Sequence, residues 1–553
     1  MKKYLLVLVS LCCALLPALA EHPEYPELKK SDANIIGHVL DKKTSEHLPY
    51  ITIALKGTTI GTVTDATGHY FLKNLPEGNF MMEVSSVGYK TVTRSVTLKK
   101  GKTLEENFEL EEDAIALDGV VVSANRSETT RRLAPTLVNV VDLKLFETTN
   151  SSTLSQGLNF QPGVRVETNC QNCGFQQVRI NGLDGPYTQI LIDSRPVFSA
   201  LSGVYGLEQI PASMIERVEV MRGGGSALFG SSAIAGTINI ITKEPLRNSG
   251  QLSHTITSIG GSSAFDNNTS LNASLVTDDH RAGLYIFGQN RHRSGYDYDG
   301  DGFTELPKLK NQTVGFRSYL KTSTYSKLTF EYHHMQEFRR GGDMLDRPPH
   351  EAHIAEQLQH SIDGGSLKYD YFSPNEKNRL SVFASAANTD RDSYYGPGND
   401  PLKAYGKTTD LTAMGGVQYV HTFDKCLFMP SDLTAGLEYN RDRLKDNMWG
   451  YDRHTDQTVK VYSAFLQNEW KNKHWGILIG GRLDKHNMVD DVIFSPRANL
   501  RFNPTDNINL RLSYSSGFRA PQAFDEDMHI ENVGGTVAMI ERAKDLKEEK
   551  SQS

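Results

Sequence analysis

The residues best suited to chemistry begin with a pair of cysteines. Cys170 and Cys173 frame the sequence Cys-Gln-Asn-Cys, and Cys426 stands far from both. A pair with this spacing either closes a local disulfide or supplies half of a zinc site. We predict a Cys170–Cys173 disulfide, because no second pair completes a four-ligand zinc site and the N-terminus described below predicts export. Two reduced thiols are the alternative.

An acidic loop offers a second kind of chemistry. Asp297, Asp299 and Asp301 occupy the first, third and fifth positions of a pattern that continues with Gly302, as in a calcium-binding loop. The twelfth position is Lys308 instead of glutamate, which excludes a complete EF-hand site. We therefore predict a partial Ca²⁺ site, with a solvated acidic loop as the alternative.

Other polar residues give little support for catalysis. His353 and Glu356 have a His-x-x-Glu spacing, but the sequence offers no plausible third metal ligand for them. No grouping of serine, histidine and aspartate stands out either. We predict that the protein is not an enzyme and requires no cofactor. A formal net charge of −7 without any basic block gives no support for nucleic-acid binding.

The N-terminus is typical of an exported protein. Residues 1–20 combine Lys2 and Lys3 with an apolar run and a small-residue cleavage motif, which is the organisation of a secretory signal peptide. No other stretch approaches the roughly 20 apolar residues of a membrane-spanning helix. The mean hydropathy of −0.43 still permits membrane strands, because these alternate apolar and polar residues.

Residues 34–111 are predicted to form a β-sandwich. Runs rich in β-branched and aromatic residues, such as Ile51–Leu55 and Phe80–Val84, alternate with turn sequences such as Pro76-Glu-Gly78. Six or seven short strands at this spacing are typical of two packed sheets.

Residues 250–553 carry a different pattern. Apolar and polar residues alternate in stretches such as Leu433–Asn440 and Ile508–Tyr514, as expected of strands with one face toward lipid and one toward a polar lumen. Short connections such as Thr322–Ser326 alternate with long ones near residues 291–308, 338–356, 391–405 and 444–458. Short turns on one side and long loops on the other predict an antiparallel transmembrane β-barrel of the outer-membrane kind.

The most specific pattern lies between these two regions. Ile215–Lys243 reads IERVEVMRGGGSALFGSSAIAGTINIITK, in which short β-branched runs are separated by glycines. This segment resembles the plug domain of TonB-dependent outer-membrane receptors, and the implied α/β plug covers residues 125–243. The front domain resembles the carboxypeptidase-regulatory-like domain that precedes the plug in receptors of Bacteroidetes-type bacteria.

The resemblance implies several functional residues. A short run rich in valine lies between the front domain and the plug; its residues are Asp118, Gly119, Val120, Val121, Val122 and Ser123. This run resembles the TonB box, which pairs through its main chain with the energy-coupling protein TonB. A first strand of the next domain is the alternative. Apical plug loops of the family help to bind ligand, so Tyr187, Phe198 and Tyr205 are candidates, with plain packing as the alternative. Ser516–Pro521 resembles a box of haem and related metal-chelate receptors, and His529 beyond it is a candidate haem ligand.

The family implies transport. We expect TonB-dependent active uptake of a metal chelate, an iron-siderophore or haem, with cobalamin as the alternative cargo. The implied partners are the TonB complex, the chelate and outer-membrane lipid, with the N-terminal domain in the periplasm.

The length of the barrel region modifies this expectation. Residues 250–553 hold about a dozen strands, whereas a plugged transporter of this type has about 22. The stretch 538–550 reads as a charged helix. We therefore expect a truncated receptor, for which a non-transporting periplasmic binding or interaction fragment is the rival function.

Overall fold

The computed structural model describes most of the chain. The described residues are 30–65, 67–86, 89–112, 120–126, 129–170, 172–196, 208, 210–396, 402, 404–505, 508–533, 536–543 and 545–553. The predicted signal peptide, Asp118, Gly119, Phe198 and Tyr205 lie outside them. Strands occupy far more of these residues than helices, so the mostly-β prediction is confirmed. Within the described part, no helix combines the length and the apolar content needed to cross a membrane.

The first domain is a β-sandwich, as predicted. Its strands are β1 (Lys30–Asp41), β2 (Thr52–Leu55), β3 (Gly61–Val63), β4 (His69–Pro76), β5 (Gly78–Ser85), β6 (Val92–Leu98), β7 (Thr103–Glu105) and β8 (Phe108–Leu110). One sheet has the order β4-β1-β7, with β8 also paired to β1, and the other has the order β3-β2-β5-β6. Alternate residues such as Ile53, Leu55, Met82 and Val84 are buried in its core, as the period of two requires.

The plug domain is a small α/β unit. Its strands are β9 (Val120–Val121), β10 (Thr129–Thr130), β11 (Val138–Asp142), β12 (Val164–Cys170), β13 (Phe175–Ile180), β14 (Thr188–Ile192), β15 (Ile215–Arg222) and β16 (Gly236–Thr242). Its helices are α1 (Leu143–Thr148), α2 (Leu154–Leu158) and α3 (Ser226–Phe229).

The central plug sheet explains the β-branched runs of the sequence. Its order is β11-β15-β16-β14, with β14 parallel to β16 and the other pairs antiparallel. Val218, Val220, Ile238 and Ile240 are buried in its core. Val220 and Met221 follow each other and are both buried, because each face of the sheet is covered.

The third region is one large antiparallel sheet. Its strands are β17 (Ser249–Ser258), β18 (Phe265–Val276), β19 (Ala282–Arg293), β20 (Lys308–Ser323), β21 (Ser326–Gly342), β22 (Ala355–Phe372), β23 (Asn378–Gly396), β24 (Tyr405–Cys426), β25 (Met429–Met448), β26 (Arg453–Lys471), β27 (Trp475–His486), β28 (Val492–Thr505) and β29 (Ile508–Arg519). Beyond them lie helix α4 (Asp525–Met528), the hairpin β30 (Glu531–Val533) and β31 (Thr536–Ala538), and β32 (Glu549–Gln552). In the described residues, β17 to β29 follow one another in sequence order and β32 completes a sheet of 14 strands.

The two faces of this sheet differ in polarity, as the alternation predicts. On β29, Leu510 and Leu512 are 56% and 71% exposed. Between them, Arg511 points inward and donates to the plug carbonyl oxygens of Arg131 and Ala134, at 2.8 and 3.1 Å. An apolar outer face and a polar inner face are what strands between lipid and a polar lumen require.

The sheet wraps around the plug. Arg291 on β19 contacts plug residue Glu208, Gln418 on β24 donates to the Arg126 carbonyl, and Arg511 on β29 reaches the plug as described above. Strands this far apart in the sheet order can touch one small domain only if the sheet curves around it.

Two expectations about the connections are wrong. The long loop expected near residues 444–458 is a short turn, since β25 continues to Met448 and β26 begins at Arg453. The helix expected over 538–550 does not form in the described residues, and Glu549–Gln552 instead pairs with Ser516–Arg519 of β29. Main-chain hydrogen bonding to an open strand edge makes little demand on sequence, so a charged segment can adopt it.

Candidate functional site

The N-terminal segment of the plug is fastened to a single carboxylate. Glu219 Oε2 on β15 accepts from the main-chain N–H groups of Val122 and Ser123, both at 2.9 Å, and from Ser123 Oγ at 2.7 Å. Ser123 Oγ also accepts from Asn239 Nδ2 at 2.9 Å. Glu219 is 0% exposed, so these hydrogen bonds lie out of water and are correspondingly strong.

The residues that follow this segment join it to the large sheet. Asn125 Nδ2 donates to Glu469 Oε2 at 2.7 Å, and Gln467 Nε2 donates to the Asn125 carbonyl at 3.0 Å. Arg126 forms a buried ion pair with Glu438, which also binds Arg482 at 2.7 Å. The start of the plug is therefore held on both sides, by its own sheet and by the surrounding strands.

This geometry bears on the candidate TonB box. Val120 and Val121 pair antiparallel with Thr130 and Thr129, and Val121 is fully buried. Val120 and Val121 thus form a short plug strand in this conformation, which is the alternative given in the sequence analysis. Pairing with TonB stays a prediction, and it would require the segment to leave Glu219 first.

The cysteine pair forms no disulfide in this structure, which corrects that prediction. Both side chains are reduced thiols. Cys170 Sγ lies 3.2 Å from Glu356 Oε2, and Cys173 Sγ lies 3.3 Å from His529 Nε2. Glu356 and His529 are themselves 3.4 Å apart. The sulfurs therefore face a carboxylate and an imidazole contributed by distant parts of the chain.

We call Cys170, Cys173, Glu356 and His529 the thiol cluster, and hydrogen bonds within it shift the pKa values of Cys170 and His529. Hydrogen bonding with Cys173 lowers the pKa of Cys170 to about 7, against burial, which raises it. Burial disfavours the imidazolium of His529, but hydrogen bonds with Cys170 and Glu356 raise its pKa to about 10. A haem-ligand role for His529 stays a prediction; in this structure its Nε2 atom is directed at Cys173 and Glu356.

A second buried cluster, made of ion pairs around Glu208, joins the plug apex to the strands of the large sheet. Glu208 binds three arginines, with Arg291 and Arg293 at 3.1 and 2.9 Å from Oε1 and Arg339 at 2.8 Å from Oε2. Coulombic attraction to these arginines overcomes burial and holds the pKa of Glu208 far below its usual range. Arg339 also donates to the carbonyl of Gly174, next to the thiol cluster, at 3.4 Å.

A polar cavity lies beside Glu208. Its volume is about 290 Å³, near the lower limit for small-molecule sites. Most of its lining offers hydroxyl or amide groups, with charge from Glu208, Asp266, Arg291 and Arg293. Such a lining suits a hydrophilic ligand better than an apolar one.

The candidate aromatic Tyr187 lies away from the thiol cluster. Its hydroxyl donates to Glu549 Oε2 at 2.8 Å, and its ring faces the guanidinium of Arg519 at 5.7 Å. The Ser516–Pro521 box therefore contacts the plug through Arg519, while Phe518 within it is buried. A ligand-binding role for Tyr187 stays a prediction, as it does for Phe198 and Tyr205.

The acidic loop gathers a different set of carboxylates from the one expected. The side-chain oxygens of Asp297, Asp299 and Glu305 lie within 4.8 Å of one another. Asp297 already accepts from the N–H groups of Gly300 and Gly302, at 2.7 and 2.9 Å, whereas Asp301 accepts from its neighbour Phe303. A partial Ca²⁺ site stays a prediction, with Glu305 in the place assigned to Asp301.

Comparison with known families decides the class of the protein. The TonB dependent receptor-like beta-barrel matches residues 239–553, the TonB-dependent Receptor Plug Domain matches residues 130–237, and the CarboxypepD_reg-like domain matches residues 35–122. The chain belongs to the TonB-dependent receptor family. The recognition made from Ile215–Lys243 and from the front domain is confirmed.

Individual relatives are distant. The vitamin B12 transporter of Vibrio vulnificus strain CMCP6 is 24% identical over 424 residues, which cover 74% of this chain and 64% of that protein. The ferric enterobactin receptor of Pseudomonas aeruginosa is 23% identical over 480 residues, covering 73% and 61%. The chain thus spans less than two thirds of the length of these relatives.

Solved structures agree on the fold. The siderophore receptor PirA of Acinetobacter baumannii superposes with a TM-score of 0.61 at 19% identity, covering 71% of this chain and 62% of that one. A mutant of the ferric enterobactin receptor of Pseudomonas aeruginosa gives a TM-score of 0.60 at 19% identity, covering 71% and 63%. At this identity the likeness establishes the fold alone.

Sequence reasoning missed the buried acids that hold the plug. Glu208 is the one charged residue of the stretch 201–214, and that isolated charge was an available signal. Glu219 has the charged neighbours Glu216, Arg217 and Arg222, so nothing in the sequence singled it out. Glu356 was noticed only through its spacing from His353. The hydrogen-bond partners that tie these acids to other segments of the chain are more than 80 residues away in sequence, so no local pattern could have paired them.

Proposed function

We propose that this receptor takes up a metal chelate, an iron-siderophore or haem, by TonB-dependent active transport across the outer membrane. The observation that carries the proposal is a plug around which the large sheet curves, and whose N-terminal segment is attached to the central strand β15 through Glu219. A plug held inside the curve of the sheet lies in the path of a ligand, so uptake would need work on the plug, and this segment is where we propose that the work is applied.

The contact with Glu219 suggests how force enters the plug. TonB would capture residues 118–123 by main-chain pairing, which needs an extended, accessible strand. When Val122 and Ser123 are withdrawn, Glu219 loses three hydrogen-bond donors. Its buried carboxylate then keeps Arg217 Nε, at 3.0 Å, as its charged partner. Because β15 lies between β11 and β16, a disturbance there reaches the centre of the plug sheet.

The arrangement of loops supports the direction of transport. Thr59 of the front domain donates its main-chain N–H to the Thr324 carbonyl, at 3.0 Å, in the short turn between β20 and β21. The front domain therefore lies at the short-turn end, which is the periplasmic end in outer-membrane barrels. Cys173 and Glu356 lie at the opposite end, where the long connections 294–307 and 343–354 would receive a ligand from outside.

Cobalamin is the second candidate cargo. Vitamin B12 transporters are among the relatives of this chain, and the carboxylates of Asp297, Asp299 and Glu305 are placed to bind Ca²⁺ in a long loop. The polar cavity beside Glu208 is compatible with either class of hydrophilic ligand.

Growth and uptake experiments test the proposal. The full chain is expressed in a host lacking its own receptors, and its outer-membrane location is checked by fractionation and by a heat-modifiability gel. Iron-limited growth on siderophore or haem, and cobalamin-dependent growth, are then compared with and without a functional TonB complex. TonB-dependent rescue by one of these cargoes supports the proposal. A properly inserted receptor that rescues growth with none of them, or equally well without TonB, contradicts it.

A further inference from the structure

The thiol cluster has the dimensions of a metal site. All four ligand atoms, Sγ of Cys170 and Cys173, a carboxylate oxygen of Glu356 and an imidazole nitrogen of His529, lie within 4.8 Å of one another. The separations given above are 3.2, 3.3 and 3.4 Å. A tetrahedral zinc ion with its usual bond lengths needs ligand atoms roughly 3.3–3.8 Å apart. The cluster could therefore close around an ion with displacements of about 1 Å or less.

We propose that Cys170, Cys173, Glu356 and His529 form a binding site for a thiophilic divalent metal ion of the Zn²⁺ class. Two thiolates, one imidazole and one carboxylate are all common zinc ligands, and four of them complete a closed site. Thiolates disfavour Ca²⁺ and Mg²⁺, which prefer oxygen. A local disulfide was expected because the sequence shows no second ligand pair; the fold supplies that pair as Glu356 and His529.

The surroundings of the cluster support a bound cation. Cys173 and Glu356 are buried, and Leu358, Tyr395 and Ile530 belong to the same packed group. The Tyr395 ring meets the His529 imidazole edge-on, with centroids 5.4 Å apart. Two thiolates beside the Glu356 carboxylate, in a largely apolar enclosure, are costly without more positive charge than His529 can carry. A divalent ion supplies that charge and uses all four side chains at once.

The site would connect the plug to the strands around it. Cys170 and Cys173 belong to the plug, Glu356 begins β22, and His529 follows α4 beyond β29. A bound ion would therefore hold the plug apex to strand β22 and to the segment that follows α4. Movement of the plug would separate the two sulfurs from the other two ligands, so metal affinity and plug position are linked. This inference goes beyond the proposed transport function and does not depend on it.

Metal titration of the purified full chain in detergent tests the site. Zn²⁺ affinity is measured by competition with a chromogenic chelator, and Co²⁺ is used as a spectroscopic substitute that reports sulfur ligation by a charge-transfer band. We expect one Zn²⁺ per chain. The variants C170S, C173S and H529A should each lower the affinity by at least about 100-fold, because each removes a direct ligand and the loss of an outer partner alone typically costs about 10–100-fold. In C170S and C173S the Co²⁺ charge-transfer band should also weaken.

Two variants on the same chain serve as matched controls. C426S removes the thiol of Cys426, the last residue of β24, and H353A removes an imidazole whose side chain is 73% exposed. Both should bind Zn²⁺ like the parent. Heat-modifiability of every variant verifies that the strands have assembled, and E356Q, which keeps size and shape, is the mildest change to the site.

Three results would overturn the inference. They are a parent chain that binds no stoichiometric Zn²⁺, thiol variants that assemble normally and bind as tightly as the parent, and a purified chain in which Cys170 and Cys173 are joined as a disulfide. None of these readouts involves transport, so failure here leaves the proposed uptake function intact, and failure of uptake leaves the metal site intact.

Discussion

The hydrogen bonds by which Glu219 attaches the N-terminal segment to the plug sheet can be tested directly. Replacing Glu219 by alanine removes the acceptor for the N–H groups of Val122 and Ser123 and for the Ser123 hydroxyl. The segment from Val120 to Ser123 then loses its attachment to β15. We expect it to spend much more time detached from the plug.

The size of the effect follows from these contacts. A hydrogen bond to a charged group contributes about 1.5–3 kcal/mol when its partners cannot regain water. The three donors here regain water on release, so we take about 1 kcal/mol each, or about 3 kcal/mol together. That corresponds to a roughly 100-fold rise in the equilibrium constant for local detachment.

Thiol labelling measures that equilibrium. Val121 is 0% exposed, so a cysteine introduced there as V121C reacts with a maleimide only when the segment detaches. Peptide mapping by mass spectrometry separates this label from the native cysteines. In the V121C background we expect labelling about 100-fold faster with E219A, and an intermediate rate with E219Q, which keeps an acceptor oxygen but no charge.

A neighbouring acid provides the control. Glu216 lies on the same strand and pairs with Arg217, but its side chain is 45% exposed, so E216Q should leave the labelling rate unchanged. If E219A labels within twofold of its parent, Glu219 does not hold the segment, and the route by which we propose that TonB acts on the plug is wrong.

Three further predictions concern the plug apex and the outer face. E208A leaves three buried arginines without their shared carboxylate and should destabilise the docked plug by about 3–5 kcal/mol, seen as a lower temperature for proteolysis of the plug. G341A would drive a Cβ atom into the Asn172 carbonyl between the two cysteines; we expect a cost of about 1–3 kcal/mol and faster alkylation of the cysteine pair. L437R places a charge on the outer face, where the leucine is 65% exposed, and should cost about 2–4 kcal/mol if lipid covers that face, reducing the heat-modifiable band.

Each of these has a matched comparison. E208Q keeps size and should be milder than E208A. G250A meets no atom within 4 Å, so it should behave like the parent where G341A does not. L427R makes the same leucine-to-arginine change in a turn, at a residue that is 78% exposed, and should assemble normally. Equal behaviour within any of these pairs would contradict the corresponding contact or the lipid-facing assignment.

Local patterns in the sequence determined the architecture. Apolar and polar residues alternate along stretches such as Ile508–Tyr514, which assigns them to opposite faces of a strand. This assignment needs no knowledge of the neighbouring strands, because successive side chains of any strand point to opposite faces. Clustered β-branched residues in Ile215–Lys243 likewise required a sheet covered on both faces. The ordered plug motif identified the family. These features depend on backbone geometry within a few residues, which is why they could be read without the structure.

The tertiary structure decided which side chains meet. Cys170 and Cys173 were expected to bond to each other, yet they face Glu356 and His529, which lie 186 and 356 residues further along the chain. The acidic loop recruits Glu305 in place of Asp301, and the charged C-terminal stretch pairs as a strand. The physical reason is that a sheet curved around a plug brings distant strand ends together. Its register then fixes which polar groups share a buried space, and no local spacing in the sequence encodes that register.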